Sequence, residues 1–317
     1  MEVKLKIKRY GPEDETPESY WADYQVEVDQ YTTVLDALIN IREDMDGTLS
    51  LRCSCRSAIC GSCAMRVNGH AALACKTRVT QISPEGEDIT IEPAGVMPVV
   101  KDLVVDMTPF WDKVKAVEPW LQPKGPEPEG EYLAPNEDML HLAGVMDCIM
   151  CGACVSDCTV LEVDPNFLGP AALAKAYRFV ADPRDGEDSY RLGGLSQETG
   201  IWDCTRCYEC VEVCPKGVAP MDRIMALRDR AIRAGYDDNT GARHTDAFVD
   251  IVGHSGWLDE LKLPLRTFGV FNLPAMIGMA PVGLRALLRG KMPPVLHTML
   301  PNVQNVRRIF RRLGHLG

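Results

Sequence analysis

The sequence predicts an α+β fold, with a small domain of strands and one helix at the N-terminus and a mainly helical domain after it. Residues 3–8 alternate apolar and basic side chains, which is the two-residue period of a half-buried strand. Strong helix formers dominate residues 169–181 and 220–234 instead. Between these patterns, residues 119–135 hold five prolines and two glycines, a composition that indicates a linker or an extended surface segment.

The N-terminal domain is assigned to residues 1–105. A helix is predicted from residue 33, with Thr32 or Thr33 as its N-cap, because a threonine hydroxyl can accept a hydrogen bond from the first helical turn. A cysteine-rich loop and further short strands follow this helix. The strands are predicted at residues 3–8, 25–28, 64–67 and 89–92.

A linker is assigned to residues 106–135 and the helical domain to residues 136–244. Pro170 stands in the first turn of the first long helix of this domain, where its missing N–H is not needed. Gly235 is expected to end the second long helix, since glycine readily adopts the conformation that follows a helix.

The remaining residues, 245–317, are assigned to a basic C-terminal extension. Residues 267–284 carry no charge, but Pro274 and Pro281 interrupt them. A segment that docks on a partner or lies at an interface is therefore favoured over a membrane span. Residues 305–313 place apolar side chains on one face and arginines on the other, which predicts an amphipathic helix, with packing against a core as the alternative.

Charge is unevenly distributed along the chain. The formal net charge of −11 argues against a nucleic-acid partner. Residues 261–317 hold nine basic residues and no Asp or Glu, so the other 260 residues, with 25 basic and 45 acidic, have a net charge of −20. The extension is therefore expected to meet an anionic surface, either lipid headgroups or an acidic partner, or to fold back on the acidic body.

Twelve of the thirteen cysteines form three spaced groups. The first group has the C-x4-C-x2-C spacing of plant-type [2Fe–2S] sites, and the others share the C-x2-C-x2-C-x3-C spacing of bacterial ferredoxins. Three such sites are typical of a protein that carries single electrons. The groups are Cys55, Cys60, Cys63 and Cys75; Cys148, Cys151, Cys154 and Cys158; and Cys204, Cys207, Cys210 and Cys214.

Two crossed sets of ligands are predicted for the second and third groups, because in two-cluster ferredoxins the fourth cysteine of each run ligates the other cluster. The sets are Cys148, Cys151, Cys154 and Cys214 for a [4Fe–4S] cluster, and Cys158, Cys204, Cys207 and Cys210 for the third cluster. Cys53 is left over and is expected to be a buried thiol or a redox bystander. Zinc is the alternative metal, but complete four-cysteine runs favour iron–sulfur clusters.

Catalytic residues are not predicted, because the chain has no phosphate-binding glycine loop, no flavin fingerprint and no histidines at metal-ligand spacing. The N-terminus has no apolar stretch typical of a signal peptide, and the number of cysteines is odd. A cytoplasmic protein with reduced thiols is therefore expected.

Segments beyond the cysteine spacings resemble the iron–sulfur subunit of succinate dehydrogenase and fumarate reductase. Together they extend over about residues 1–235, and their order along the chain is that of the family. The segments are residues 53–65, 73–75, 99–106, 168–173, 176–179, 182–185 and 214–217.

The resemblance implies a β-grasp [2Fe–2S] ferredoxin domain followed by an all-α, bacterial-ferredoxin-like two-cluster domain. It implies a non-catalytic electron-transfer subunit whose flavoprotein partner, with covalent FAD, oxidises succinate to fumarate or catalyses the reverse reaction. Electrons would enter at the Cys55 site, pass the Cys148 site and leave from the Cys204 site towards quinone or a membrane-associated subunit. Partner subunits would hold the chain peripherally on the cytoplasmic face of the inner membrane.

Two features depart from the common family pattern. That pattern lacks a cysteine at the position of Cys207 and holds [3Fe–4S] there, so a second [4Fe–4S] cluster is favoured here. Quinone-reducing members usually have a histidine at the position of Thr205 and Pro and Trp residues within the 159–164 segment. Both departures resemble a less common branch, in which a cysteine-rich subunit similar to part of heterodisulfide reductase replaces the membrane anchor. The C-terminal extension would be a dock for that subunit.

A second hypothesis is a ferredoxin-like adaptor for a different flavoprotein, such as a glycolate or glycerol-phosphate oxidase. Residues 56–65 and 168–173 favour the first hypothesis, because they resemble the family beyond the bare ligands. Co-purification with a partner that holds covalent FAD, together with succinate-dependent dye reduction, distinguishes the two.

Overall fold

A computed structural model describes residues 1–13, 18–269, 271–294 and 299–313 of the chain. The chain divides into two compact units, residues 1–229 and residues 230–317. The sequence-based limits of the linker and of the C-terminal extension stay predictions.

A five-stranded mixed sheet forms the N-terminal part of the first unit. Its spatial order is β2-β1-β5-β3-β4, in which β1 and β5 run parallel and the other neighbours run antiparallel. Val3, Leu5 and Ile7 of β1 are fully buried, while the lysines between them are partly exposed, as the alternating pattern predicts. The strands are β1 Glu2–Arg9, β2 Tyr20–Glu27, β3 Ala64–Val67, β4 His70–Leu73 and β5 Ile89–Glu92.

The second strand is longer than the sequence predicts. The strand predicted from the sequence covers residues 25–28, yet β2 begins at Tyr20 and pairs with β1 along its whole length. One face of β2 is exposed along the strand, while on the other face Ala22 and Tyr24 are half-buried and Val26 is buried; backbone pairing with β1 extends the strand to Tyr20.

One helix, α1 (Val34–Asn40), packs against the core of the sheet. Its N-cap is Thr33, one of the two predicted candidates, and Thr33 and Asp36 form a reciprocal capping box. Val34, Leu35 and Leu38 are buried in the same apolar cluster as the inward side chains of the sheet. A π-helical turn, Ile41–Met45, continues this helix towards the cysteine loop.

A buried arginine at the end of β1 joins three distant parts of this domain. Arg9 donates from Nε to Asp102 at 2.8 Å and from Nη1 to Asp46 and to the Tyr24 hydroxyl, each at 2.6 Å. Asp46 lies in the segment that leads into the cysteine loop, so the network ties that segment to the end of β1 and to Asp102. The small elements nearby are α2 Val79–Ile82, β6 Val99–Lys101, β7 Val104–Val105 and α3 Thr108–Ala116.

Helices dominate the rest of the first unit, as the sequence predicts. Residues 119–135 contain no helix or strand, apart from one β-bridge between Pro123 and Asp185. The central helix, α7, matches the 169–181 prediction and is buried along nearly its whole length. The helices are α4 Asn136–Met139, α5 Ala153–Ser156, α6 Thr159–Val163, α7 Gly169–Val180, α8 Asp188–Leu195, α9 Glu209–Glu212 and α10 Pro220–Arg233.

Four further helices lie within the described residues of the second unit. The predicted amphipathic helix is present as α14, and the uncharged segment lies mostly within α13, which has no buried residue. No helix among the described ranges is long and apolar enough to cross a membrane. The helices are α11 Thr240–Ser255, α12 Lys262–Phe268, α13 Leu273–Leu288 and α14 Val303–Arg312.

Candidate metal centres

The first cysteine group lies in a tightly wound loop between α1 and β3, with Cys75 just after β4. Arg56, Ala58 and Gly61 all have positive φ angles, which turn the backbone amides inwards towards the sulfur atoms. Three amides, those of Ser57, Ile59 and Cys60, donate to Cys55 Sγ at 3.3, 3.3 and 3.2 Å. The Cys55 amide donates to Cys60 Sγ at 3.4 Å. The Ala58 amide donates to Cys75 Sγ at 3.3 Å.

The electrostatics of this loop suit thiolate ligands. Hydrogen bonds, first from Ser62 and then from the Cys55 amide, lower the pKa of the exposed Cys60 thiol to about 6. Burial raises the pKa of Cys63 to about 12, so this thiol ionises at neutral pH only beside a cation. Iron held by these cysteines would supply that positive charge, and the inward amides would stabilise the sulfur charge that remains.

Four cysteines line a second cavity, between the loops that precede α5 and α10. They are Cys148, Cys151, Cys154 and Cys214. Burial raises the pKa of Cys151 and raises that of Cys154 well above its usual value, and the neighbouring thiolates add to both increases. The Val218 amide donates to Cys214 Sγ at 3.4 Å. The structure therefore brings the last cysteine of the third run to the first three of the second run.

A third cavity is lined by the complementary set of cysteines, Cys158, Cys204, Cys207 and Cys210. Cys158 and Cys210 are buried, whereas Cys207 is exposed. Burial raises the pKa of Cys210 to about 12, with repulsion from the neighbouring thiolates as the second cause. Apolar side chains, among them Phe167 and Ile224, complete the walls.

The second and third sets are spread around cavities, and the first set lies in the loop with the inward amides. Within the described part of the chain, no three His, Cys, Asp or Glu side chains converge on a single metal ion. In an iron–sulfur cluster each cysteine binds a different iron atom or shares one with a second cysteine, so the ligands surround a polyhedron. Four-cysteine cavities fit such a group.

Comparisons with known proteins agree with this chemistry. Residues 4–112 match the 2Fe-2S iron-sulfur cluster binding domain family, and residues 144–218 match the 4Fe-4S dicluster domain family. The chain is 36% identical over 269 residues to the 8-methylmenaquinol:fumarate reductase iron-sulfur subunit of Wolinella succinogenes, with 83% of each chain covered. It is 39% identical over 228 residues to the fumarate reductase iron-sulfur subunit of Mycobacterium tuberculosis, with 71% of this chain and 91% of the relative covered.

The chain belongs to the family of succinate dehydrogenase and fumarate reductase iron–sulfur subunits. Its fold is also similar to a chain of the Mycobacterium smegmatis Sdh1 complex in the apo form, with a TM-score of 0.63 and 28% identity over 75% of this chain and 98% of that chain. The family resemblance read from the sequence is confirmed. The N-terminal sheet domain is the [2Fe–2S] domain of this iron–sulfur subunit, and the helical region is its [4Fe–4S] dicluster domain.

Sequence reasoning missed a buried cation beside the third cavity of this iron–sulfur subunit. The Arg228 guanidinium, on α10, donates to the carbonyls of Ile201, Trp202 and Cys204 at 2.8, 2.9 and 2.8 Å. It also lies over the Trp202 ring, 5.3 Å from the centroid. Burial lowers its pKa to about 10, so Arg228 stays charged at neutral pH. The signal available in the sequence was a charge on the apolar face of the helix, four positions after Ile224.

The structure also locates Cys53 and the positions at which the sequence departs from the common family pattern. Cys53 is partly buried and packs against the core of the sheet domain, and it lines neither of the two cysteine cavities. Thr205 lines the third cavity. Residues 159–163 form the short helix α6, of which Val163 is exposed and Leu161 is buried.

Proposed function

We propose that this chain passes single electrons between an FAD-containing succinate dehydrogenase or fumarate reductase flavoprotein and quinone or a membrane-associated subunit. The observation that carries the proposal is that two four-cysteine cavities and a cysteine loop with inward amides occur in a chain of this family. The N-terminal sheet, in which β1 and β5 are parallel and the cysteine loop follows the helix, suits a β-grasp ferredoxin domain.

The proposed ligands follow the three sets. Cys55, Cys60, Cys63 and Cys75 hold [2Fe–2S]; Cys148, Cys151, Cys154 and Cys214 hold [4Fe–4S]; and Cys158, Cys204, Cys207 and Cys210 hold the third cluster. Support for the crossed sets comes from the two cavities and from thiolate repulsion, which acts on Cys210 from Cys204, Cys158 and Cys207.

The third cluster is proposed to be [4Fe–4S]. Cys207 lines the cavity with the other three ligands, and its charge contributes to the raised pKa of Cys158. Its exposure leaves the thiol accessible from outside, but this does not remove it from the set. Thr205 lines the same cavity, so a neutral hydroxyl group stands where quinone-reducing relatives usually have an imidazole.

The clusters supply the one-electron chemistry when bound, and the chain holds and surrounds them. Inward amides donate to the sulfur atoms of the first group, and apolar side chains form much of the wall of the third cavity. No group of the chain is assigned to substrate chemistry, so the succinate or fumarate site lies on the flavoprotein partner.

The proposed partners are the flavoprotein subunit and either a membrane anchor or a cysteine-rich subunit similar to part of heterodisulfide reductase. The Wolinella relative is named for 8-methylmenaquinol, which supports quinone as the indirect partner. The basic extension supports peripheral attachment, proposed for the cytoplasmic face of the membrane. An adaptor for a glycolate or glycerol-phosphate type flavoprotein is the alternative, and the two named relatives do not favour it.

EPR spectroscopy with iron analysis on anaerobically purified protein tests the cluster assignment. The wild type is expected to hold about ten irons per chain and to lack a strong [3Fe–4S] signal when oxidised. Cys207→Ser is expected to lose about one iron and to gain that signal, whereas the matched control Cys53→Ser leaves both unchanged. A wild-type sample with about nine irons and the [3Fe–4S] signal would remove Cys207 from the ligands.

Co-purification tests the complex. A partner with covalent FAD and succinate-dependent dye reduction in the purified complex are expected. Reduction by glycolate or glycerol phosphate instead, without succinate activity, would establish the adaptor alternative.

A further inference from the structure

The loop of the first cysteine group touches the loop of the second group at a glycine. A Cβ placed on Gly61 would lie 2.7 Å from Cys151 Cβ, 2.9 Å from Cys151 Cα and 3.3 Å from the Ile149 carbonyl oxygen. Carbon atoms in ordinary contact are about 3.5–4.0 Å apart, so no side chain fits at this position. Gly61 lies between Cys60 and Cys63, and Cys151 belongs to the second cavity.

A second contact joins the same two centres. Lys76 Nζ donates to the Pro215 carbonyl oxygen at 3.4 Å. Lys76 follows Cys75 of the first set, and Pro215 follows Cys214 of the second set. Each centre therefore contributes two of its ligand-bearing segments to the contact.

A buried polar clamp holds the two domains in this arrangement. Arg66 Nε on β3 donates to Asp157 Oδ1 at 2.8 Å, and the Ala71 amide on β4 donates to Asp157 Oδ2 at 2.6 Å. The Ser156 hydroxyl accepts from the Gly95 amide at 2.8 Å and donates to Asp157. Both Ser156 and Asp157 are buried, so the sheet domain is fixed against the helical domain beside the glycine contact.

We propose that Gly61 is a positioning residue for electron transfer between the [2Fe–2S] centre and the [4Fe–4S] centre of the second cavity. The absence of its side chain sets the closest approach of the two ligand loops. One electron leaves the reduced first centre and enters the oxidised second centre across this contact, and no atoms are exchanged. The inference rests on the proposed function, because it requires both clusters to be present.

The test compares Gly61→Ala with the matched control Gly69→Ala. Both glycines have left-handed backbone angles, with φ of +74° and +83°, so alanine strains the backbone at either site. A Cβ on Gly69 would meet no heavy atom within 4 Å, whereas one on Gly61 must push the Cys151 backbone away. The pair therefore separates the effect of inter-centre distance from that of local strain.

The first readout is the EPR interaction between the two centres in reduced protein. The second is the rate at which a pre-reduced first centre passes its electron on, followed by freeze-quench. Gly61→Ala is expected to retain the wild-type iron content, to show a weaker spin–spin interaction and to transfer the electron more slowly. Gly69→Ala is expected to match the wild type. Wild-type coupling and rate in Gly61→Ala, or equal losses in both variants, would overturn the proposal.

If Gly61→Ala does not load its clusters, measurements on the wild type test whether the two centres are in close contact, as the proposal requires. Microwave power saturation of the [2Fe–2S] signal is expected to require higher power once the second centre is reduced, because neighbouring spins relax each other. Unchanged saturation would refute close contact between the centres. Failure of the proposed function appears differently, as wild-type protein without iron or without a flavoprotein partner.

Discussion

Replacing Arg228 by methionine is expected to loosen the segment that begins the third cysteine run. The arginine is 6% exposed and donates hydrogen bonds to the backbone carbonyls of Ile201, Trp202 and Cys204. Methionine keeps most of the apolar volume of the stem but removes every donor. The three carbonyls then accept hydrogen bonds from water or lose the hydrogen bond that Arg228 donated.

The size of the effect follows from the burial of each carbonyl group. The bond to Ile201 is buried, so its loss costs about 1–3 kcal/mol, and the two partly buried bonds cost about 1 kcal/mol each because water can replace them. The total of about 3–5 kcal/mol raises the population of the opened segment by a factor of roughly 10² to 10⁴. The free energy of this local opening is what amide hydrogen exchange measures.

Hydrogen exchange of the amides of residues 201–208, with iron content on the same samples, is the assay. Arg228→Met is expected to exchange faster by the stated factor and to lose iron from the third centre first. Arg228→Lys is the control: it keeps the charge but not the planar fork of donors, so an intermediate effect is expected. Wild-type exchange and full iron content in Arg228→Met would refute the idea that these carbonyl contacts hold the segment.

Two further substitutions test the polar contacts that hold the first unit together. Asp157→Ala removes the buried carboxylate that accepts from Arg66 and the Ala71 amide, and leaves Arg66 with the exposed carboxylate of Glu162. The free energy of unfolding in denaturant is therefore expected to fall by about 2–3 kcal/mol, and a loss within about 0.5 kcal/mol of zero would contradict the clamp. Burial alone would raise the pKa of Asp182, but hydrogen bonds from Arg184 and Arg178 outweigh it and lower the pKa below the usual value. The stability from Asp182 is therefore present above about pH 4 and lost as the pH falls. In Asp182→Asn the free energy of unfolding, measured in urea at several pH values, is expected to depend less on pH in the acid range. An equal pH dependence in variant and wild type would contradict this.

Local patterns in the sequence account for much of the fold. The alternation around Leu5 predicts β1, the threonine at position 33 predicts the start of α1, and the helix formers after Pro170 predict α7. Each of these signals depends on residues within one turn or one strand of each other. The start of β2 was not predictable in this way, because Tyr20 and Trp21 are both exposed and belong to the strand through pairing with β1.

The residues of the cysteine centres also differ in how far the local sequence predicts them. Three proposed ligands of each cluster come from one short run, so spacing alone predicts them, and the proposed crossed fourth ligand follows from a rule of two-cluster ferredoxins. Gly61 is different, because its contact is with Cys151, ninety positions further along the chain, and the local sequence shows only a glycine in a loop.

Arg228 lies between these cases. Its partners are remote, but a charge on the face that carries Ile224 breaks an otherwise apolar stripe, and a buried charge needs partners. Carbonyls near a cysteine run, where the backbone is irregular and its acceptors lack helical or sheet partners, are the natural place to find them.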